Sequence, residues 1–504
     1  MAIKLNEIPQ VLGHLPEFCM QHYTDTPVFI HTENSEKQQI YSGEYYKETC
    51  RLAQALKKMR ISKGDVVMTL MNSTYQWNFI DTAINRIGAI HLPLYQVNIE
   101  FFHAIKNVAI KLIITDNDLQ SPNLQEDIPE IRLSDLTNLV ADSEIEPDTS
   151  HASLLPGDAA YIFYSFDHNS VLRAYVFTNE NIINWAKEGS MLLPLETGSK
   201  YLSLLPVSKV FERSTQLAHI FLGCSIQYSQ AGAFPSKTIN ESQADSCSIV
   251  PSLLRYPFRL NNAEQENKYG KKRSIKYDAI DKKDLREFYG NKIKHLICGG
   301  APIHHQTEDE YFENELPVFN GWGLTQSLGA FTMNTHFANK RGSVGRAIGD
   351  NKLDICKTGE ILISGPTVSD HCLENKKLKK CDRLGEFIRT GDIGHVDHDG
   401  YLHIDGSIRE VFKMPNGLFL FTAKHEKDLA QALDCKVLLC RDYEGLLHLQ
   451  VEKTLNENEI KMLRSLRIVD FAAYTIHSIS QNKDISEKRP YFYEYQGDEV
   501  FLKR

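Results

Sequence analysis

Gly64-Asp65-Val66-Val67-Met68-Thr69-Leu70-Met71 decides the fold. A Gly-Asp turn opens into a short, nearly continuous apolar run, the pattern of a strand covered on both faces. Before it, Tyr45 to Met59 carries apolar residues at helical spacing and ends in basic residues, as a helix C-terminus prefers. After it, Trp77 to Ile87 predicts a second helix and Gly88 to Leu94 a second strand. Phe101 to Val108 predicts another helix and Lys111 to Thr115 a third strand. Strand, helix, strand, helix, strand implies a parallel sheet with covering helices, so the fold class is α/β.

The same texture continues downstream. Residues 117 to 150 are polar and irregular and predict a surface connection. Ala160 to Tyr164, Tyr201 to Leu205, Ser246 to Val250 and Lys294 to Cys298 predict strands, and Glu180 to Ala186 a helix. Asn262 to Lys283 is charged and apolar-poor, which predicts a loop or a poorly ordered insert. From Gly342 the pattern changes, and Glu360 to Pro366 and Tyr401 to Ile404 predict antiparallel strands around turns. Beyond Ser407, Lys424 to Leu433 and Glu457 to Arg467 predict helices, and Lys436 to Cys440 and Leu447 to Val451 strands. That is enough for a small α+β domain.

The whole chain bounds the function. At 504 residues it exceeds one ordinary core and favours division into domains. Apolar residues make up 42% and charged residues 24%, as in water-soluble globular proteins. The formal charge of -9 argues against a general nucleic-acid binder. Ten cysteines occur without a CxxC pair, which predicts reduced thiols in a cytoplasmic protein. The opening Met1-Ala2-Ile3-Lys4-Leu5-Asn6-Glu7 lacks the charged-then-apolar order of a signal peptide. No apolar run reaches membrane-spanning length, so membrane contact is expected to be peripheral at most.

Three local patterns carry candidate chemistry. In Ile297-Cys298-Gly299-Gly300-Ala301-Pro302-Ile303, a buried strand runs into glycines that permit a tight turn and close approach of a ligand. In Phe319-Asn320-Gly321-Trp322-Gly323-Leu324-Thr325-Gln326, an aromatic between glycines can stack on a flat ring, with polar groups beyond it. In Phe387-Ile388-Arg389-Thr390-Gly391-Asp392-Ile393-Gly394, the carboxylate of Asp392 can accept hydrogen bonds from a vicinal diol such as ribose. Asp399-Gly400 is a hairpin signal. Each alone reads as readily as an ordinary turn.

In this order, the three resemble successive motifs of the adenylate-forming superfamily. Leu204-Leu205-Pro206-Val207-Ser208-Lys209-Val210-Phe211-Glu212-Arg213 resembles a segment of its long-chain fatty-acyl-CoA synthetase branch. Gly342-Ser343-Val344-Gly345 and Gly359-Glu360-Ile361-Leu362 extend the likeness over nearly the whole chain. The resemblance implies a large N-terminal domain of mostly parallel sheets with a small barrel-like part, residues 1–404, and a small mobile C-terminal domain, residues 405–504, hinged near Asp405. It implies adenylation of a fatty acid by ATP and Mg²⁺, then thioester formation with CoA. It places adenosine on Gly299, Gly300, Ala301, Pro302, Trp322, Gly323, Thr325, Asp392 and Arg409.

The phosphate half departs from the family. Where the family has a Gly-rich Thr/Ser loop with a lysine, this chain has Ser165-Phe166-Asp167-His168-Asn169-Ser170-Val171-Leu172-Arg173-Ala174, without a glycine. Glycines in such a loop let successive N–H groups point at phosphate oxygens. Ser165 and Arg173 keep one hydroxyl and one positive charge. Gln326 stands where the family's metal-binding glutamate would, and Ser407 where a ribose-contacting arginine would. Lys488 and Lys483 are the candidates for the family's adenylation lysine, outside its usual Thr-Pro-x-x-Lys context. Lys209, where the family has histidine, reads as solvated surface or as part of an acyl site. Removing one preorganised donor costs roughly a hundred- to a thousandfold in rate, and several are changed at once. Two readings stay open. One is a divergent ligase that holds phosphate through Arg173, His168 or Arg213. The other is a non-catalytic relative that binds fatty acid, acyl-CoA or nucleotide as a carrier, sensor or partner subunit.

Overall fold

The computed structural model describes residues 7–33, 36–95, 105, 108–116, 128–167, 171–228, 235–255, 257, 282–301, 303, 305–316, 318–407, 411–413, 419–435, 437–441, 447–451, 455–459, 463, 475–478 and 500–501. The strand Val66–Leu70 is buried at every residue, with Ile90–Leu94 parallel on one side and Ile110–Thr115 on the other. Burial on both faces is what makes such strands apolar throughout. The sheet has eight strands and runs out through Ala159–Phe166, Leu172–Thr178, His371–Glu374 and Lys377–Lys380 on one side and Glu130–Arg132 on the other.

A second sheet, of nine strands, has a parallel centre formed by Val318–Trp322, His295–Cys298, Ser246–Ile249, Lys200–Leu202, Ser225–Tyr228 and Phe29–Glu33. One hydrophobic core includes Val67, Tyr161 and Phe163 of the first sheet and Phe29, Tyr201 and Ile226 of the second, so the two sheets share an interior. Helices Ser42–Lys58, Tyr75–Arg86, Asn179–Met191 and Val210–Phe221 bury their apolar faces in the same core. Thr178 caps the third of these with a capping box to Asn181, satisfying N–H groups that a helix start leaves unpaired.

A third sheet is antiparallel and joins Lys352–Ile355, Glu360–Ser364, Phe387–Val396, Arg383–Leu384 and Leu402–Ser407. The turn at Asp399-Gly400 lies between two of its strands, with Gly400 at φ +83°. The last part places helix Thr422–Leu433 with a four-stranded sheet of Val437–Arg441, Leu447–Val451, Thr475–Ser478 and Val500–Phe501. Leu429, Leu433, Leu439, Leu449 and Val451 form a separate core there.

Two expectations need correction. Residues 128–150 are more than a connection: Glu130–Arg132 adds a parallel strand to the sheet edge, and Leu133–Thr137 is a helix that buries Leu136. The strand borrows its hydrogen bonds from Ile110–Thr115, so it needs no apolar pattern of its own. Lys282 and Lys283 open a helix, Lys282–Phe288, because Leu285 packs into a second core under the nine-stranded sheet. The rest of the 262–283 segment lies outside the described residues, as do most of the 101–108 and 457–467 helices. Among the described residues no helix is long and apolar enough to cross a membrane.

Candidate functional site

Strands Ser246–Ile249, His295–Cys298 and Val318–Trp322 are parallel neighbours, so their carboxyl ends share one edge of the sheet. Doubly wound sheets bind ligands outside that edge. Gly299 leaves the second strand with its N–H donating to the Ile249 carbonyl at 3.4 Å. Gly300 follows at φ +87°, a conformation that glycine adopts without steric cost. A Cβ on Gly299 would stand 3.4 Å from the Gly321 carbonyl oxygen, so this turn abuts the tryptophan element. A Cβ on Gly323 would lie 1.7 Å from the Gly329 carbonyl, which leaves room for hydrogen only.

Trp322 is half-buried and packs edge-on against Phe331. Its indole N–H donates to Asp392 Oδ2 at 3.0 Å. The three sequence patterns therefore meet. Asp392 is buried, and its N–H donates to Thr390 Oγ1 at 3.1 Å. Glu360, at 1% exposure, accepts from the Arg389 guanidinium at 2.6 and 2.9 Å and from the Gly391 N–H at 3.0 Å. Glu360 thus holds the part of strand Phe387–Val396 that presents Asp392, a role sequence reasoning missed. The available signal was a carboxylate opening an otherwise apolar strand. Ser407 Oγ donates to the Gly391 carbonyl at 3.0 Å, and Thr325 sits half-buried in the short helix Thr325–Ser327.

The phosphate end is built differently. Ser165 and Arg173 face each other across an antiparallel hairpin of Ala159–Phe166 and Leu172–Thr178. Asp167 closes it: its N–H donates to the Val171 carbonyl and its Oδ1 accepts from the Val171 N–H, both at 2.9 Å. Asp167 Oδ2 accepts from Arg173 Nε at 3.1 Å, and Arg173 Nη1 donates to Glu374 at 3.4 Å. The cation is thus engaged by two carboxylates, and the hydrogen bond to Asp167 raises its pKa further. Gln326 is buried, with its amide N–H₂ donating to the Phe166 carbonyl and the Tyr175 hydroxyl at 3.2 and 2.9 Å. Its buried Oε1 has no partner among the described residues. Asp167, Arg173, Gln326, Cys372 and Cys381 line one cavity of about 380 Å³. A neutral amide oxygen beside two carboxylates, Asp167 and Glu374, that are already paired with Arg173 does not fit Mg²⁺, a hard cation held through carboxylates and phosphate oxygens.

Arg213, offered as a holder of phosphate, is not among the residues that line that cavity. It is 1% exposed and donates to Asp81, to the Tyr161 hydroxyl and to Asn78 Oδ1. Asp81 also meets Tyr161 and His91, so the arginine neutralises a buried carboxylate that links two helices. Lys209 is solvent-accessible just before helix Val210–Phe221. Asp405 lies within strand Leu402–Ser407 and pairs with His395 at 2.9 Å. Pro302, His168, Arg409, Lys483 and Lys488 lie outside the described residues.

A model of the family described as AMP-binding enzyme matches residues 17–371. A long-chain-fatty-acid–CoA ligase of Mycobacterium bovis is 21% identical over 459 residues, covering 79% of this chain and 74% of the relative. A 4-coumarate–CoA ligase of Arabidopsis thaliana is 24% identical over 457 residues, covering 81% and 76%. Among solved structures, o-succinylbenzoate coenzyme A synthetase from Bacillus subtilis, in complex with AMP, superposes with a TM-score of 0.65 at 17% identity, covering 92% of this chain and 94% of that one. A Mycobacterium tuberculosis fatty acyl CoA synthetase does so with a TM-score of 0.64 at 19% identity, covering 90% and 91%. With the family model spanning well over half of the 504 residues, on a fold these structures share, the chain belongs to the AMP-binding enzymes as a divergent member.

Proposed function

We propose that this chain is a long-chain fatty-acyl-CoA synthetase-like protein that binds adenosine nucleotide and acyl ligand but has lost ATP-driven adenylation. The observation that carries this reading is Asp167. Its carboxylate closes the hairpin where a phosphate cradle would open and pairs with the cation left there. A triphosphate placed beside it would have to compete with Asp167 and Glu374 for Arg173. In this reading Gly299, Gly300, Ala301, Pro302 and Trp322 flank adenine, Gly323 and Thr325 shape the turn beside it, and Asp392 with Arg409 holds ribose. AMP or ATP is the nucleotide, and a fatty acid or acyl-CoA is the second ligand. Residues 405–504 form the lid, hinged near Asp405, with Lys483 and Lys488 as its candidate lysines. The reduced thiols fit a cytoplasmic setting.

A working ligase is the competing reading, favoured by the activities named for the relatives and by the retained positive charge of Arg173. ATP–pyrophosphate exchange with medium- and long-chain fatty acids separates the two. The expected result is no exchange above a blank, with AMP or acyl-CoA binding by calorimetry. Asp392→Ala should weaken AMP about ten- to a hundredfold, the worth of a charge-assisted hydrogen bond. Exchange above the blank that is lost in Asp392→Ala would establish the ligase instead. Absence of both exchange and binding would remove the nucleotide-binding reading altogether.

A further inference from the structure

The cavity at the phosphate end holds a pair of thiols that neither reading uses. Strand His371–Glu374 pairs antiparallel with Lys377–Lys380, with Cys372 opposite Lys379 and His371 opposite Lys380. The ladder continues one step, since the Cys381 N–H donates to the Asp370 carbonyl at 2.8 Å. Side chains alternate along a strand, so Cys372 and Cys381 lie diagonally on the same face. Both line the cavity together with Arg173. Lys379 and Lys380, exposed on the hairpin, line it too, so it is open to solvent on that side.

Cys372 is itself buried, at 6% exposure, but it and Cys381 line the cavity, whereas Cys19, Cys224, Cys247 and Cys298 do not. Cys19, Cys224, Cys247 and Cys298 are buried, and burial pushes their thiols up. At Cys372 the neighbouring Cys381 thiol outweighs burial, Arg173 adds to it, and the thiol is drawn down to about 7. The partner thiol, Cys381, is raised by Cys372 in turn. A thiolate is the nucleophile in disulfide exchange.

We propose that Cys372 and Cys381 form a dithiol site that exchanges with low-molecular-weight disulfides entering the cavity. The Cys372 thiolate attacks one sulfur of the small disulfide. A Cys372–sulfur bond forms, the small disulfide breaks, and one thiolate leaves and takes up a proton. Cys381 then gives its proton to solvent and attacks Cys372 Sγ. The mixed disulfide breaks and releases the second thiolate. In sum, the two cysteines lose two electrons and two protons, and the small disulfide becomes two thiols. The site is independent of adenylation, so its test stands whatever the nucleotide assays return.

The test uses the full chain, reduced and then exposed to glutathione disulfide. Remaining thiols are alkylated, and peptides are mapped without reduction. The expected product is a Cys372–Cys381 cross-link that glutathione reverses. Cys381→Ser should instead accumulate glutathione on Cys372. Cys372→Ser should react at Cys381 about tenfold more slowly than the wild-type pair. Wild-type protein alone gives a second readout: iodoacetamide should label Cys372 about tenfold faster than Cys19, Cys224, Cys247 and Cys298 at pH 7. Cross-links confined to other cysteines, or labelling of Cys372 no faster than those four thiols, would overturn the proposal.

Discussion

Arg213 shows how a motif residue can belong to the core. Its guanidinium meets Asp81 in a place that neither residue leaves exposed, with Tyr161 and Asn78 as further partners. Burying both charges costs desolvation, and the geometry offsets it through four groups on three elements. Removing one partner strands the other charge. Arg213→Ala is therefore expected to lose about 3–5 kcal/mol in urea unfolding. A loss below about 1 kcal/mol would mean that the pair is not a structural centre. The sequence did not announce this contact, because Asp81 lies 132 residues away and carries no motif. The same limit hid the Trp322–Asp392 bond, 70 residues apart, although both residues stood out as candidates individually.

At the scale of elements, the hairpin of Ala159–Phe166 and Leu172–Thr178 determines what the site can hold. Asp167→Gly removes the acceptor of the Val171 N–H and of Arg173 Nε. It should cost about 1–3 kcal/mol in unfolding free energy and restore no pyrophosphate exchange, because Gln326 and the strand register remain. Recovery of exchange from this one change would refute the view that the hairpin as a whole excludes the triphosphate. The strands themselves were legible. Val66–Leu70 and His295–Cys298 are covered on both faces and so read as apolar runs with turns at their ends. Glu130–Arg132 was not legible, since an edge strand of alternating exposure borrows its order from a neighbour. The cross-strand thiols were equally hidden, because Cys372 and Cys381 share a face only once the register of Lys377–Lys380 is known.

Across the whole molecule, the shared core couples stability to pH through Glu212. Burial raises its carboxyl from 4.5 to about 7, while hydrogen bonds from Tyr201 and Gln216 pull the other way. A folded-state pKa above the unfolded one adds stability that is complete below pH 4.5 and is lost as pH rises toward 7. Its ceiling is on the order of 3 kcal/mol. Wild-type protein should therefore lose stability relative to Glu212→Gln as pH is raised from 4.5 to 7, measured by urea midpoints. A constant difference over that range would place the titration elsewhere. The indoles have a consequence of their own. Of three tryptophans, Trp77 and Trp185 are sealed in the interior, and only Trp322 borders the place assigned to adenine. Its fluorescence is therefore a built-in optical reporter: a purine stacking there would quench one emitter and leave two as an internal reference.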